Sequence, residues 1–177
     1  MFRQDLNFEE RLLLLARTTG HTPAAERAVA RFSALGEHGA VWLAIGLGGW
    51  LADAARRPAW RRAIGTVSGV YALNTAIKLA VRRRRPSFPG EPPLPPLTGT
   101  VTGLSFPSAH ASTSFAGAAS YARLGLPPAP LYGLAGGLAL SRLYLGVHYP
   151  SDVLAGALLG TAAARIMSPA QPARDAR

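Results

Sequence analysis

Apolar residues fall along this chain in five long runs separated by short polar breaks, at roughly 39–55, 63–81, 109–125, 128–146 and 151–167. Each run is long enough, or nearly so, for a helix that crosses a bilayer. They are rich in small residues ("GLGGWLA", "FAGAAS", "GLAGGLAL", "AGALLG"), which let helix backbones approach closely in lipid, so a tightly packed bundle is expected. Ahead of them, residues 22–36 set Ala28, Val29, Phe32 and Leu35 at helical spacing opposite Glu26, Arg27 and Arg31, the pattern of an amphipathic sixth helix. Residues 7–18 predict a further helix, lying on the membrane surface or, equally, on the surface of a soluble protein. The expected fold is all-α: an integral-membrane bundle of five to six membrane helices plus an N-terminal surface helix, with a soluble bundle as the alternative. Residues 1–20 form the interfacial segment, 21–168 the membrane-embedded domain and 169–177 a disordered polar tail. The segment 86–105 holds six prolines and reads as a long loop.

The placement of the polar residues adds a topological inference. Each span reverses the side on which the chain emerges. The end of the second run ("KLAVRRRRP"), the start of the third ("FPSAH"), the end of the fourth ("SRLYLG") and the start of the fifth ("HYPSD") therefore share one face. Lys78, Arg85, Ser108, His110, Arg142, His148 and Asp152 can converge there. Charged side chains near span ends are either interfacial or functional, because each costs about 2.5–3.5 kcal/mol at mid-bilayer on insertion scales. The run Arg82–Arg85, taken by itself, reads as headgroup anchoring, whereas Lys78 lies a turn deeper and calls for an anion. On the opposite side Arg56, Arg57, Arg61 and Arg62 favour a cytoplasmic loop, which would set the polar cluster outside the cytoplasm.

Composition narrows the partner. Eighteen Arg and one Lys stand against nine carboxylates, for a formal charge of +10 over 177 residues. Such an excess attracts anionic lipid, a phosphorylated substrate or nucleic acid. Nucleic acid is set aside because no aromatic residues interleave the basic runs. The absence of cysteine excludes disulfides and thiolate metal sites. The two histidines and aspartate of the cluster could bind a metal, but the surrounding arginines would repel one and Glu91 is the only further carboxylate near these loops, so no metal and no cofactor are expected.

Phosphate monoester hydrolysis would use each of these groups. Lys78, Arg85 and Arg142 can neutralise the non-bridging oxygens, and the Ser108 hydroxyl and backbone N–H groups at a helix start add donors. Asp152, four residues after His148, can fix one ring nitrogen and leave the other to attack phosphorus. His110 is then left to protonate the leaving oxygen and to activate water.

The three segments match a pattern: Lys, six residues, Arg-Pro in "KLAVRRRRP"; nearly Pro-Ser-Gly-His in "PSAH"; and Ser-Arg, five residues, His, three residues, Asp in "SRLYLGVHYPSD". In these the chain resembles the type 2 phosphatidic acid phosphatase family, related to vanadium haloperoxidases. The resemblance implies phosphate binding by Lys78, Arg85, Ser108 and Arg142, with His110 as acid and base, His148 as nucleophile and Asp152 as its orienting group. It implies metal-independent hydrolysis of a membrane lipid phosphate through a phosphohistidine. Ala109 departs from the family's glycine; its N–H remains for the phosphate, with an added methyl and a restricted backbone. "FSALGEHGAVWLA" and the flanks of the last two motifs further resemble the actinobacterial decaprenylphosphoryl-5-phosphoribose phosphatase branch of cell-wall arabinan synthesis. Phosphatidate, phosphatidylglycerophosphate and undecaprenyl diphosphate are the alternative substrates. A vanadate-dependent haloperoxidase and a non-catalytic lipid binder are the alternatives of another class. Glu37 and His38, beside the first run, are candidate contacts for a sugar hydroxyl, with an interfacial cap and a solvated histidine as the plainer readings. Trp42 and Trp50 read as packing or lipid residues, and Asn74 as a helix–helix hydrogen bond.

Overall fold

The computed structural model describes residues 6–87 and 103–167, and among these the chain is helical with one isolated bridge, Arg84 to Leu104. The helices are α1 (Phe8–Thr18), α2 (Pro23–Ala34), α3 (Ala40–Ala52), α4 (Arg57–Val81), α5 (Ala109–Ala122), α6 (Pro128–Tyr144) and α7 (Pro150–Met167), with single 3-10 turns at Glu37–Gly39 and Ala54–Arg56. The five apolar runs become α3 to α7, the amphipathic segment becomes α2, and the N-terminal segment becomes α1. Most of the proline-rich loop and the tail lie outside the described residues. So does Glu91.

Local chemistry sets the ends. Asn7 and Glu10 form a reciprocal capping box at the start of α1, with Glu10 N–H to Asn7 Oδ1 at 3.0 Å and Asn7 N–H to Glu10 Oε2 at 2.9 Å. Thr22 caps α2 and Ser108 caps α5, while Pro150 opens α7, where its missing N–H leaves no bond unmade. Leu35 falls outside the stripe predicted for α2: the helix ends at Ala34, and Leu35 is 49% exposed.

Helix α5 is central, packing against α3, α4, α6 and α7. Its approach to α7 is very close. A Cβ at Gly160 would fall 2.1 Å from the Ser112 carbonyl oxygen, and one at Gly156 would fall 2.6 Å from that of Ser108. Only glycine permits two helix backbones to meet in this way. Trp42 is fully buried over Gly117 and donates from Nε1 to Ser114 Oγ at 2.9 Å, and Trp60 lies over Gly49, so these indoles are packing residues. Asn74 donates to Ser112 Oγ at 2.9 Å and to the Pro107 carbonyl at 3.2 Å, which ties α4 to α5 as expected.

Beside this apolar core, many polar side chains are buried and many leucines face outward. Ser108, Ser112, Thr113, Ser114, Ser120, Thr66, Asn74, Lys78, Arg142 and Asp152 are buried, whereas Leu47, Leu51, Leu73, Leu79, Leu140, Leu154 and Leu158 are exposed. Length and hydropathy together single out one stretch, Ala54–Val81, as long and apolar enough to cross a membrane among the described residues.

Candidate active site

The four motif-bearing helix ends meet at one end of the bundle. Lys78 reaches it from the last turn of α4, Ser108 and His110 from the start of α5, Arg142 from the last turn of α6, and His148 and Asp152 from the loop and first turn leading into α7. Arg82 takes a left-handed conformation (φ 54°) that ends α4, its N–H bonding the Lys78 carbonyl at 2.9 Å. The chain then turns back along Gly103–Ser105, with Ser105 N–H to the Arg83 carbonyl at 2.8 Å and Arg85 N–H to the Gly103 carbonyl at 3.1 Å. That short pairing aims Arg83 and Arg85 inward. The Ser108 N–H donates to the Asp152 carbonyl at 2.9 Å, fixing the start of α5 against the start of α7.

Electrostatically the site is a cage of cations around one imidazole. Lys78, Arg85 and Arg142 all act on His148, and Arg142, Arg85 and His148 act on His110. Lys78 donates to the Ser105 carbonyl at 3.1 Å and the Leu104 carbonyl at 3.4 Å. Arg142 is 7% exposed and donates from Nη1 to Ser33 Oγ at 2.7 Å, while its Nε is buried with no hydrogen-bond partner. Arg85 donates from Nη1 to the Val147 carbonyl at 2.7 Å and lies 3.3 Å from His148 Nε2. Because a guanidinium can only donate, that contact makes Nε2 the lone-pair nitrogen and puts the proton of neutral His148 on Nδ1. Nδ1 faces Asp152 Oδ2 at 3.5 Å, a loose contact of the kind that tightens when charge develops. Burial, joined by the Arg85, Lys78 and Arg142 charges and opposed by Asp152, pushes His148 down from 6.5 to about 4, so its imidazole is neutral at physiological pH.

Asp152 is wholly buried and held from three sides: Tyr149 N–H on Oδ2 at 2.9 Å, Arg83 Nη1 on Oδ1 at 2.9 Å, and the His148 ring. The one buried carboxylate of the cluster is thus already engaged by a fourth cation. Such a concentration of desolvated positive charge is costly unless an anion joins it. His110 bonds through Nε2 to the Ser33 carbonyl at 3.0 Å; a carbonyl only accepts, so Nε2 carries a proton and Nδ1 is the ring position left for exchange. Ala109 opens α5 in ordinary helical conformation, so alanine adds no left-handed strain there.

Glu37 and His38 are exposed on the turn before α3. The Glu37 charge reaches Arg142, and His38, in the left-handed region at φ 52°, meets the Tyr71 ring edge to face at 5.5 Å. The structure therefore sets Glu37 beside the cluster, while His38 packs on α4.

Four residues of the site carry no signal in the motifs. Ser33, on α2, holds three motif residues at once: its hydroxyl accepts from Arg142 and from Ser141 Oγ (2.9 Å), and its carbonyl takes His110. Arg83, hidden in the arginine run, bonds Asp152, Ser151 and Glu9. Glu9 and Ser151 join it from α1 and α7. Although burial opposes its ionisation, the hydrogen bonds from Ser151 and Arg83 hold the Glu9 carboxyl below its ordinary value.

Comparison with known proteins gives the chain a family. Residues 59–176 match the family model of the PAP2 superfamily. The decaprenylphosphoryl-5-phosphoribose phosphatase of Mycolicibacterium smegmatis is 43% identical over 130 residues, covering 73% of this chain and 68% of that protein. Its namesake in Mycobacterium tuberculosis is 40% identical over 135 residues, covering 76% and 74%. The crystal structure of Aquifex aeolicus LpxE superposes with a TM-score of 0.76 at 24% identity over 94% of this chain and 98% of that one. That of the first transmembrane PAP2 type phosphatidylglycerolphosphate phosphatase from Bacillus subtilis gives 0.73 at 22% identity over 90% and 82%. These two share the fold. With the family match spanning most of α4 and everything after it, and relatives this similar over most of their length, the chain belongs to the PAP2 superfamily.

Proposed function

We propose that this protein hydrolyses the terminal phosphate of a polyprenyl-phosphoryl sugar 5-phosphate, of the decaprenylphosphoryl-5-phosphoribose type, through a phosphohistidine on His148. The protein is a membrane lipid phosphatase, a hydrolase of phosphomonoesters. The observation that carries the mechanism is the placing of the His148 ring, with Nε2 3.3 Å from Arg85 Nη1, Nδ1 facing Asp152 Oδ2 at 3.5 Å, and the Lys78 and Arg142 charges acting on it.

In the first step the three cations, the Ser108 hydroxyl and the α5 N-terminal N–H groups, Ala109 included, take the phosphate oxygens. His148 Nε2 attacks phosphorus; the N–P bond forms and the bond to the leaving oxygen breaks. His110, which takes up a second proton on Nδ1 when the phosphate dianion joins the cations around it, gives that proton to the leaving oxygen, and Asp152 stabilises the positive charge spreading through the His148 ring. In the second step His110, now neutral, takes a proton from water, the hydroxide oxygen bonds phosphorus and the N–P bond breaks. His148 is thereby returned neutral and His110 protonated.

The substrate assignment rests on the names of the two mycobacterial relatives, most of whose length this chain covers. Glu37, an exposed carboxylate whose charge reaches Arg142, would accept from a sugar hydroxyl next to the phosphate. His38, the other candidate from the sequence, packs on Tyr71 of α4 and is given no substrate contact. The membrane reading rests on the outward leucines and buried polar residues: α3 to α7 would cross the cell membrane as a multi-pass domain over residues 21–168, and α1 would lie at the interface.

The test is phosphate release in detergent from decaprenylphosphoryl-5-phosphoribose, phosphatidate, phosphatidylglycerophosphate and undecaprenyl diphosphate, with excess chelator, and halide oxidation with vanadate and peroxide. The expected result is chelator-resistant release with kcat/KM for the polyprenyl ribose phosphate at least about tenfold above the others, and no halide oxidation. A preference for any other lipid would reassign the substrate, and dependence on added metal would overturn the mechanism.

A further inference from the structure

The nucleophile is connected to the first helix by an unbroken line of polar contacts that the chemistry above does not use. Glu9, on α1, accepts from Arg83 Nη2 through Oε2 at 2.8 Å and from the Ser151 N–H in the first turn of α7 through Oε1 at 2.8 Å. Arg83 spends its other terminal nitrogen on Ser151 Oγ at 2.6 Å and Asp152 Oδ1 at 2.9 Å, and its guanidinium lies over the Tyr149 ring at 4.1 Å. Asp152 turns its remaining oxygen, Oδ2, to His148 Nδ1. From the geometry we infer that Arg83 and Glu9 are positioning residues for the His148 nucleophile, Arg83 fixing the rotation of the Asp152 carboxylate and Glu9 holding Arg83 and the start of α7 in register. This inference rests on the reading of His148 as nucleophile.

The physical need is plain. The terminal torsion of an aspartate is soft, so the carboxylate keeps one oxygen on the imidazole only if the other is anchored. In a site where Asp152 is wholly buried, water cannot supply that anchor freely. A guanidinium suits the task because its fork can reach Asp152 and Ser151 with one nitrogen and Glu9 with the other. A lysine in its place would bring the charge without the fork. With both terminal nitrogens committed and an aromatic face against it, Arg83 is engaged away from the phosphate position, unlike Arg85 two residues on, which lies on His148 Nε2. Glu9 ties the N-terminal helix to the reaction centre, 143 positions ahead of Asp152 in the chain by subtraction of their numbers.

The test uses the full-length protein in detergent with decaprenylphosphoryl-5-phosphoribose as substrate and inorganic phosphate as competitive inhibitor, which separates turnover from anion binding. For Arg83→Ala the expected result is a loss of about 30-fold or more in kcat with the phosphate inhibition constant within about twofold of wild type. Arg83→Lys should lose about tenfold, Glu9→Gln about three- to tenfold, and Glu9→Gln added to Arg83→Ala nothing further, since the two act in one line. If Arg83→Ala does not fold, Arg83→Lys and Glu9→Gln carry the same readouts. An Arg83 variant that weakens phosphate inhibition in step with its rate would make it a substrate contact and overturn the inference, as would losses at Glu9 and Arg83 that multiply. Wild-type protein that releases no phosphate from this lipid, nor from phosphatidate, phosphatidylglycerophosphate or undecaprenyl diphosphate, would instead bring down the reading of the site itself.

Discussion

Nη1 of Arg85 lies 3.3 Å from Nε2 of His148 and 2.7 Å from the carbonyl of the preceding residue, Val147. In the resting site the His148 lone pair, the attacking group of the proposed mechanism, is therefore covered by a cation. An arriving phosphate has to draw the guanidinium from the ring to itself, exchanging a weak contact for a charge-assisted one. On the proposed mechanism, substrate binding and uncovering of the nucleophile are one event.

Arg85→Ala is expected to lower kcat/KM by about 10²- to 10³-fold, the range for losing one preorganised donor to transition-state charge. Arg85→Lys should recover only part of this, because an ammonium cannot span two phosphate oxygens bidentately. Steady-state kinetics on the two variants checks it.

The depressed His148 also shapes stability. The unfolded chain binds a proton near 6.5 and the folded site only near 4, so the unfolded state gains protons first as the pH falls. The contribution of neutral His148 is whole above 6.5 and declines from there to about 4. Thermal unfolding of substrate-free protein in detergent between pH 7 and pH 4 should show wild type losing stability in this window more steeply than His148→Gln. Parallel curves would contradict it.

Ser33→Ala removes the hydroxyl that accepts from both Arg142 and Ser141. A buried guanidinium nitrogen then loses its partner, at a cost of about 1–3 kcal/mol. Phosphate binding should weaken as Arg142 shifts, with the His110 bond to the Ser33 carbonyl kept. Denaturation and phosphate inhibition measured side by side read both effects.

How far the sequence reveals this site depends on where each residue comes from. Lys78, Arg85, Ser108, His110, Arg142, His148 and Asp152 stand out because each is a polar residue at the edge of an apolar run, and hairpin counting brings those edges to one face. Ser33 and Glu9 reach the site from helices packed on α6 and α7, over separations of 109 residues from Arg142 and 142 from Ser151, and no local spacing announces such contacts. Arg83 is hidden for another reason. Four successive arginines look alike until the left-handed turn at Arg82 and the pairing with Gly103–Ser105 decide which of them point inward. The helices themselves are legible from their caps and prolines, whereas their closeness depends on which glycines face a backbone. Gly48 and Gly136 face open space, and Gly160 faces Ser112.

That difference is testable. Gly160→Ala puts a methyl into the α5 backbone, which cannot yield as a side chain would, and should cost about 1–3 kcal/mol despite the helix preference of alanine. Gly48→Ala, in open space, should be neutral or gain up to about 1 kcal/mol. Melting temperatures of the two variants in one detergent decide it, and activity should fall with the first because Ser108 and Asp152 are tied across the same contact.

The central claim is that His148 becomes covalently phosphorylated. Rapid-quench labelling with a substrate radioactive in the terminal phosphate, followed by alkali that preserves phosphohistidine, measures it directly. Wild type should show alkali-stable label within the first turnover and His148→Ala none, while His110→Ala should form label slowly and lose it more slowly still, because water is no longer activated. Alkali-stable label persisting in His148→Ala would contradict the account and move the nucleophile elsewhere in the site.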